Sequence, residues 1–190
     1  MGLTIVFLAA VAAIAGLLFG YDEGVIAVAG PLLEGHFPMS PLVRGVMTAA
    51  VPLGALLAAS AVGPIADRFG RRRVLMSAAA LFTVGALIAA AITTVWMLVA
   101  ARLVLGLAIG VAAVTAPLYI AESAPLKSRG GMVATYQLAI TIGILGSYLT
   151  GLVITGVGMW RLMFGLGAVP GLLFLVGLAF LPESPRWLVL

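Results

Sequence analysis

Six long apolar runs account for almost the whole sequence, and they constrain the fold more than any other feature. A helix needs about 20 apolar residues, each rising about 1.5 Å, to cross the hydrocarbon core of a bilayer. Only 8% of the residues are charged, against about 25% in soluble domains, so the chain cannot cover a water-facing surface. The sequence predicts an all-α membrane protein that has the lipid bilayer as its main solvent. The predicted transmembrane helices lie near residues 3–31, 42–66, 74–93, 96–121, 132–155 and 161–181.

Basic residues between the runs predict how the chain crosses the membrane. They concentrate in the second, fourth and final segments outside the runs, whereas the other side has only Arg44 and Arg161 at helix starts. By the positive-inside rule, both termini of this multi-pass protein are predicted to lie on the cytoplasmic side of the cell membrane. The net charge of +4 is then explained by the basic residues that set the membrane topology, and we expect no nucleic-acid partner. The residues on the predicted cytoplasmic side are Arg68, Arg71, Arg72, Arg73, Lys127, Arg129 and Arg186.

The reactive side chains argue against catalysis. The chain has one histidine and no cysteine. No segment resembles a nucleophile with its base, a cluster of metal ligands or a phosphate-binding loop. We therefore expect no enzyme activity, no cofactor and no metal site.

Three ionisable residues, Asp22, Glu23 and Arg102, lie at hydrocarbon depth in predicted spans, where a charge is costly and therefore a functional candidate. Asp22 lies about 20 residues into the first helix. Arg102 lies about two turns into the fourth, which starts on the side where the first ends. Both residues should thus lie at similar depth, and we expect a buried pair that takes up a proton when it separates. A static structural pair is the alternative. Glu23 points about 100° away from Asp22 on a helix, and its role stays open.

The segment GPIADRFGRR at 63–72 combines an aspartate, a glycine and several arginines in one compact turn. Such a turn can hold a neighbouring helix end by charge-assisted hydrogen bonds. It resembles the signature between helices two and three of the major facilitator superfamily.

Four further motifs resemble the sugar porter family of that superfamily. They are Gly20-Tyr21-Asp22, the ladder of Arg102 with Gly106 and Gly110, the segment PLYIAESAP at 117–125 followed by Arg129-Gly130, and PESPRWL at 182–188. With the turn at 63–72, five motifs occur in the family's order over nearly the whole chain.

The resemblance implies a cytoplasmic gating network and a sugar contact. Gln137 matches a family position that hydrogen-bonds sugar hydroxyls, and Thr141, one turn further, is a second substrate-binding candidate. An amide both donates and accepts, which suits a polyol; an interhelical hydrogen bond is the alternative for Gln137. For the network, the alternative is ordinary topology-setting charge. The implied network members are Asp67, Arg68, Arg71, Arg72, Glu122, Arg129, Glu183 and Arg186.

Members of this family have twelve helices in two halves, each made of two inverted groups of three, and they hold substrate between the halves. The resemblance implies that residues 1–190 are the amino-terminal half and that a carboxy-terminal six-helix domain is absent. The implied function is transport of a monosaccharide, a hexose or a pentose, by proton symport, with the missing half or a second copy as partner. A self-dimerising half-transporter and a non-transport assembly subunit are the alternatives. The sugar, and symport as opposed to facilitated diffusion, stay open.

Overall fold

The computed structural model describes residues 2–154 and 159–187, and the regular elements in those ranges are helices. All six predicted spans are confirmed as helical, the sixth being divided in two. The helices are α1 (Gly2–His36), α2 (Pro41–Phe69), α3 (Arg71–Ala91), α4 (Val95–Ser123), α5 (Leu126–Val153), α6 (Trp160–Leu166) and α7 (Ala168–Ala179).

Several helices extend beyond their predicted ends. α3 begins at Arg71 rather than near 74, and α5 begins at Leu126 rather than near 132. The predicted starts are wrong because they treat charged residues as loop, whereas the helices include these residues in their first turns. A helix of 29 residues, such as α2 or α4, is about 43 Å long, which matches a whole bilayer with its headgroups. The predicted end of the fifth helix at residue 155 lies outside the described residues.

α2 and α3 are joined by a single residue, Gly70. Its φ of 94° lies in the left-handed region that residues with a side chain rarely adopt. A Cβ at this position would also collide with the carboxylate of Glu183, which packs against the turn. Gly70 therefore allows both the reversal of the chain and the close approach of the C-terminal segment.

The sixth span is broken at Gly167 between α6 and α7. The Gly167 amide donates to the carbonyl of Phe164 at 3.1 Å, three residues back, which tightens the last turn of α6. Pro170 has no amide hydrogen to donate to the carbonyl of Leu166, and its ring crowds that carbonyl. The two helices together still form one candidate span, Trp160–Ala179.

The bundle is organised around two close helix pairs, α1 with α5 and α2 with α4. Glycines permit both contacts, since a Cβ on Gly20 would collide with the backbone of Ile140 and one on Gly106 with the backbone of Val51. A two-fold axis that relates helices one to three to helices four to six would exchange α1 with α4 and α2 with α5. It would therefore exchange the α1–α5 pair with the α2–α4 pair. This arrangement is that of two inverted three-helix groups.

Large apolar side chains cover the outside of the bundle. Leu138, Leu145 and Leu152 on α5 are more than half exposed, and so are many residues of α2 and α3. All six spans are long and apolar enough to cross a membrane. Such a surface is stable in lipid but not in water, which agrees with a multi-pass membrane protein.

Candidate functional site

Charged side chains gather at one end of the bundle, where the α2–α3 turn, the end of α4 and residues 180–187 meet. We call it the charged end. The opposite end holds the end of α1 and the starts of α2 and α4.

Arg71 is the centre of the charged end. Its side chain is only 6% exposed, and it contacts three groups from two elements. Nη1 donates to the carbonyl of Ala66 at 3.0 Å, and Nη2 lies 2.8 Å from Oδ1 of Asp67. Nη2 also donates at 3.1 Å to Oε1 of Glu122, whose side chain is 3% exposed. The arginine thus joins the end of α2 to the end of α4 through a buried ion pair.

The C-terminal segment completes this arrangement. The Ser184 hydroxyl donates to Oε2 of Glu122 at 2.5 Å. Oε1 of Glu183 accepts from the backbone amides of Arg72, at 2.8 Å, and Ser184, at 3.0 Å. We call the set of Asp67, Arg71, Arg72, Glu122, Glu183 and Ser184 the charged cluster.

The Arg72 side chain contacts backbone rather than a carboxylate. Its Nε donates to the carbonyl of Leu178 at 2.8 Å, and its Nη2 donates to that of Ala179 at 2.9 Å. These carbonyls belong to the last turn of α7, where a cation complements the helix dipole. Arg72 therefore attaches α3 to the end of the sixth span.

Two aromatic residues that the sequence motifs contain, but that we did not predict as site residues, also hold this segment. The Tyr119 hydroxyl donates to the carbonyl of Pro182 at 2.6 Å. Trp187 Nε1 donates to the carbonyl of Asp67 at 2.8 Å. The sequence feature that could have identified both residues is that they lie inside the motifs at 117–125 and 182–188.

Three predicted network members are not joined to the charged cluster. Arg68 lies over the ring of Phe69 at 5.4 Å, Arg186 is exposed, and Nη2 of Arg129 reaches only the carbonyl of Ala124 at 3.5 Å. None of the three lies within 4.0 Å of a carboxylate in the part of the chain that the structure describes. Arg129 stays local because it lies in the first turn of α5, directly after that carbonyl.

Asp22 and Arg102 are both buried, at 3% and 1% exposure, but they do not form the direct pair that the sequence predicts. Arg102 Nε donates instead to the carbonyl of Met47 on α2 at 3.0 Å. Oδ2 of Asp22 and Nη1 of Arg102 have no hydrogen-bond partner within residues 2–154 and 159–187. The reason is the close α2–α4 packing beside Gly106, which brings the α2 backbone within reach of the guanidinium.

Gln137 and Thr141 lie one turn apart on the exposed face of α5. Neither side chain forms a hydrogen bond to another described residue, so the interhelical bond considered for Gln137 is not present. Both groups are free to bind a polar ligand on this face. In a membrane this polar pair needs a cover other than lipid.

The sequence profile of the family described as "Sugar (and other) transporter" matches residues 8–190. The chain belongs to this family. It is 44% identical over 177 residues to the glucose transporter GlcP of Staphylococcus epidermidis, covering 93% of this chain and 40% of that protein. It is 45% identical over 181 residues to the galactose-proton symporter of Escherichia coli, covering 95% and 39%.

Solved structures agree with this assignment. The proton:xylose symporter XylE of the major facilitator superfamily, bound to 6-bromo-6-deoxy-D-glucose, superposes with a TM-score of 0.91 at 32% identity over 99% of this chain and 47% of that one. The inward open conformation of XylE from E. coli gives 0.89 at 33% identity, over 98% and 50%. The predicted resemblance to the six-helix half of a sugar porter is confirmed. The chain spans about two fifths of the curated relatives it matches.

Proposed function

We propose that this chain is the amino-terminal domain of a carrier that moves a monosaccharide, a hexose or a pentose, together with a proton. The observation that carries the proposal is the pair of buried, separated charges at Asp22 and Arg102. Relatives named for glucose, for galactose with a proton and for arabinose with a proton support the substrate class and the coupling ion.

Asp22 is the proton-binding group. Its carboxylate is buried in a spanning helix, where an uncompensated charge is expensive, and one of its oxygens has no hydrogen-bond partner among the residues that the structure describes. A static structural pair would be expected to bring Asp22 and Arg102 into contact, whereas here Arg102 is attached to the α2 backbone. Protonation of Asp22 removes its buried negative charge. Movement of α2 relative to α4 changes the distance from Asp22 to Arg102, and with it the degree to which Arg102 compensates that charge.

Gln137 and Thr141 bind the sugar. Both face away from the bundle and have unused donors and acceptors, which suits an array of hydroxyl groups. In this architecture the substrate lies between two six-helix bodies, so a second domain has to cover this face. We assign that cover to the carboxy-terminal half of the carrier, and a second copy of this chain is the alternative.

The charged cluster is the gate on the cytoplasmic side. The excess of arginine at the charged end supports a cytoplasmic location for that end and for both termini under the positive-inside rule. The cluster joins α2, α3, α4 and the C-terminal segment and so holds this end of the bundle closed in the outward-open state. Arg68, Arg129 and Arg186 contribute the positive charge that sets the topology.

The test is Asp22→Asn in the carrier assembled with its carboxy-terminal domain. The neutral, isosteric amide cannot bind and release the proton, so proton-driven accumulation should be lost while exchange of labelled sugar across the membrane persists. Glu23→Gln is the matched control, because Glu23 is the neighbouring carboxylate and is exposed. Accumulation by the Asp22→Asn carrier equal to that of the parent would exclude the coupling role.

A further inference from the structure

A groove with a cavity volume of about 320 Å³ opens on the side of the bundle between α2 and α3. Ala61 and Ile65 form one wall, Ser77 and Leu81 form the other, and Val111 of α4 contributes to the floor. The groove exists because α2 and α3 each pack on α4 and only slightly on each other. We call it the α2–α3 groove. Its lining is almost entirely apolar, and Ile65 and Leu81 remain exposed at 45% and 38%.

The groove continues into an apolar stripe on the outside of α3. Leu81, Val84 and Ile88 follow one another at intervals of three and four residues, so they lie on the same side of the helix. Their exposures are 38%, 52% and 44%. At this depth of a membrane, an open apolar channel of this kind fits an extended hydrocarbon chain.

Two arginines lie at the end of the groove nearest the charged end. Arg73 is one turn before Ser77 on α3, and Arg68 is three residues after Ile65 on α2, so each continues one wall of the groove. Both are exposed, and within the described ranges neither lies within 4.0 Å of a carboxylate. By contrast, the side chains of Arg71 and Arg72 are held by the charged cluster and the end of α7.

We propose that the α2–α3 groove binds one acyl chain of an anionic phospholipid and that the lipid phosphate lies between Arg68 and Arg73. A guanidinium binds phosphate oxygens in pairs, and a headgroup without its own cation leaves the phosphate charge available to both arginines. A partner protein domain is the competing occupant. It would have to bring carboxylates to both arginines, whereas a single anionic headgroup satisfies them together. This binding is separate from transport and does not depend on the proposed proton or sugar sites.

Native mass spectrometry of the purified chain in detergent tests the headgroup contact. Phosphatidylglycerol and phosphatidylcholine with identical acyl chains are added at equal concentration, and the bound fraction of each is measured. The parent chain should retain phosphatidylglycerol in preference. The double variant Arg68→Gln/Arg73→Gln should weaken that retention by about fivefold per arginine removed, the usual effect of a basic residue near an anionic headgroup. The control Arg44→Gln/Arg161→Gln removes the same charge at the opposite end and should retain the preference.

A second pair of variants tests the groove itself. Ala61→Trp fills it and should displace the lipid with no change of charge, whereas Ala59→Trp, also exposed but on a different side of α2, should not. Ser77→Trp fills the groove from the other wall. It replaces Ala61→Trp in the test if circular dichroism shows that Ala61→Trp has lost helical structure. Equal retention of both lipids by the parent overturns the proposal. The proposal is also overturned if all the groove variants retain phosphatidylglycerol. A dimer mass that Ala61→Trp abolishes would overturn it too, and would assign the groove to a second copy.

Discussion

Among single residues, Arg102 determines how the buried charges of this bundle are arranged. Its Nε donates to the carbonyl of Met47, and in the described part of the chain neither its Nη1 nor Oδ2 of Asp22 has a hydrogen-bond partner. The sequence predicts the burial of both groups, because each lies deep in an apolar run. It could not predict their separation, since the position of the guanidinium depends on how closely α2 approaches α4. That distance is set by the contact of Gly54 on α2 with the backbone around Gly106 on α4, and the sequence alone does not show that these two helices pair.

Gln137 can be tested at the same scale. Gln137→Ala in the assembled carrier should weaken sugar binding by about 1 to 3 kcal/mol, because a sugar hydroxyl would be left without its partner in a closed site. Leu138→Ala is the control, being the adjacent exposed residue with no polar group. Titration of both variants with the transported sugar measures the difference. An affinity unchanged by Gln137→Ala would reduce Gln137 to a surface residue of α5.

At the scale of helices, the close approach of α2 and α4 rests on glycine. A methyl group at Gly106 would collide with the backbone of Val51, which no rotamer change can relieve. Gly106→Ala should therefore separate the two helices and lower the thermal unfolding temperature of the chain in detergent. Gly146→Ala provides the comparison, since a Cβ there meets no atom within 4 Å and alanine favours the helix. Equal unfolding temperatures for the two variants would contradict the packing argument.

The charged cluster also acts between helices. Removing one partner of a buried ion pair costs about 3 to 5 kcal/mol where it leaves the other charge uncompensated, and less where a second carboxylate remains, as Asp67 does beside Arg71. Glu122→Ala removes the link from Arg71 to α4, so it should loosen the charged end and shift the assembled carrier toward inward-facing states. Accessibility of a cysteine probe at the charged end measures the shift. Glu34→Ala removes a carboxylate from the exposed pair with Arg44 at the opposite end and should change little. Equal accessibility in both variants would exclude the gate.

The sequence predicts which elements exist more reliably than where they end. Apolar runs determine the six spans, because a continuous apolar run of about 20 residues satisfies its own backbone groups in lipid by forming a helix. The starts of α3 and α5 were not predictable from polarity, since the charged residues Arg71 and Lys127 lie within the first turns of these helices. The sequence did not predict the break at Gly167, because that prediction requires knowing which backbone carbonyl receives no hydrogen bond from Pro170. Of the eight residues predicted for the cytoplasmic network, five belong to the charged cluster. Their contacts were not predictable, because several of them use backbone carbonyls and amides.

For the molecule as a whole, the proposed function requires that the bundle present one wall of a substrate site. Alternating access requires two bodies that rock about a site between them, and in the proposed carrier this six-helix bundle would be one of them. Gln137 and Thr141 lie exposed on that bundle, and polar groups at this depth are costly against lipid. We therefore predict that proteoliposomes containing only this 190-residue chain show no saturable, stereoselective sugar uptake.

Co-expression with the carboxy-terminal domain of a related sugar porter should restore that uptake, because the second body covers the polar face and completes the site. The measurement is uptake of labelled D-sugar against its L-enantiomer, with and without an imposed proton gradient. A carrier rebuilt with Asp22→Asn serves as the control for assembly without coupling, since it should exchange sugar but not accumulate it. Saturable uptake by the chain alone, together with crosslinking into a defined dimer, would show that two copies provide the two walls. Failure of uptake in every combination, with both domains inserted and associated, would instead favour a membrane assembly subunit that does not transport.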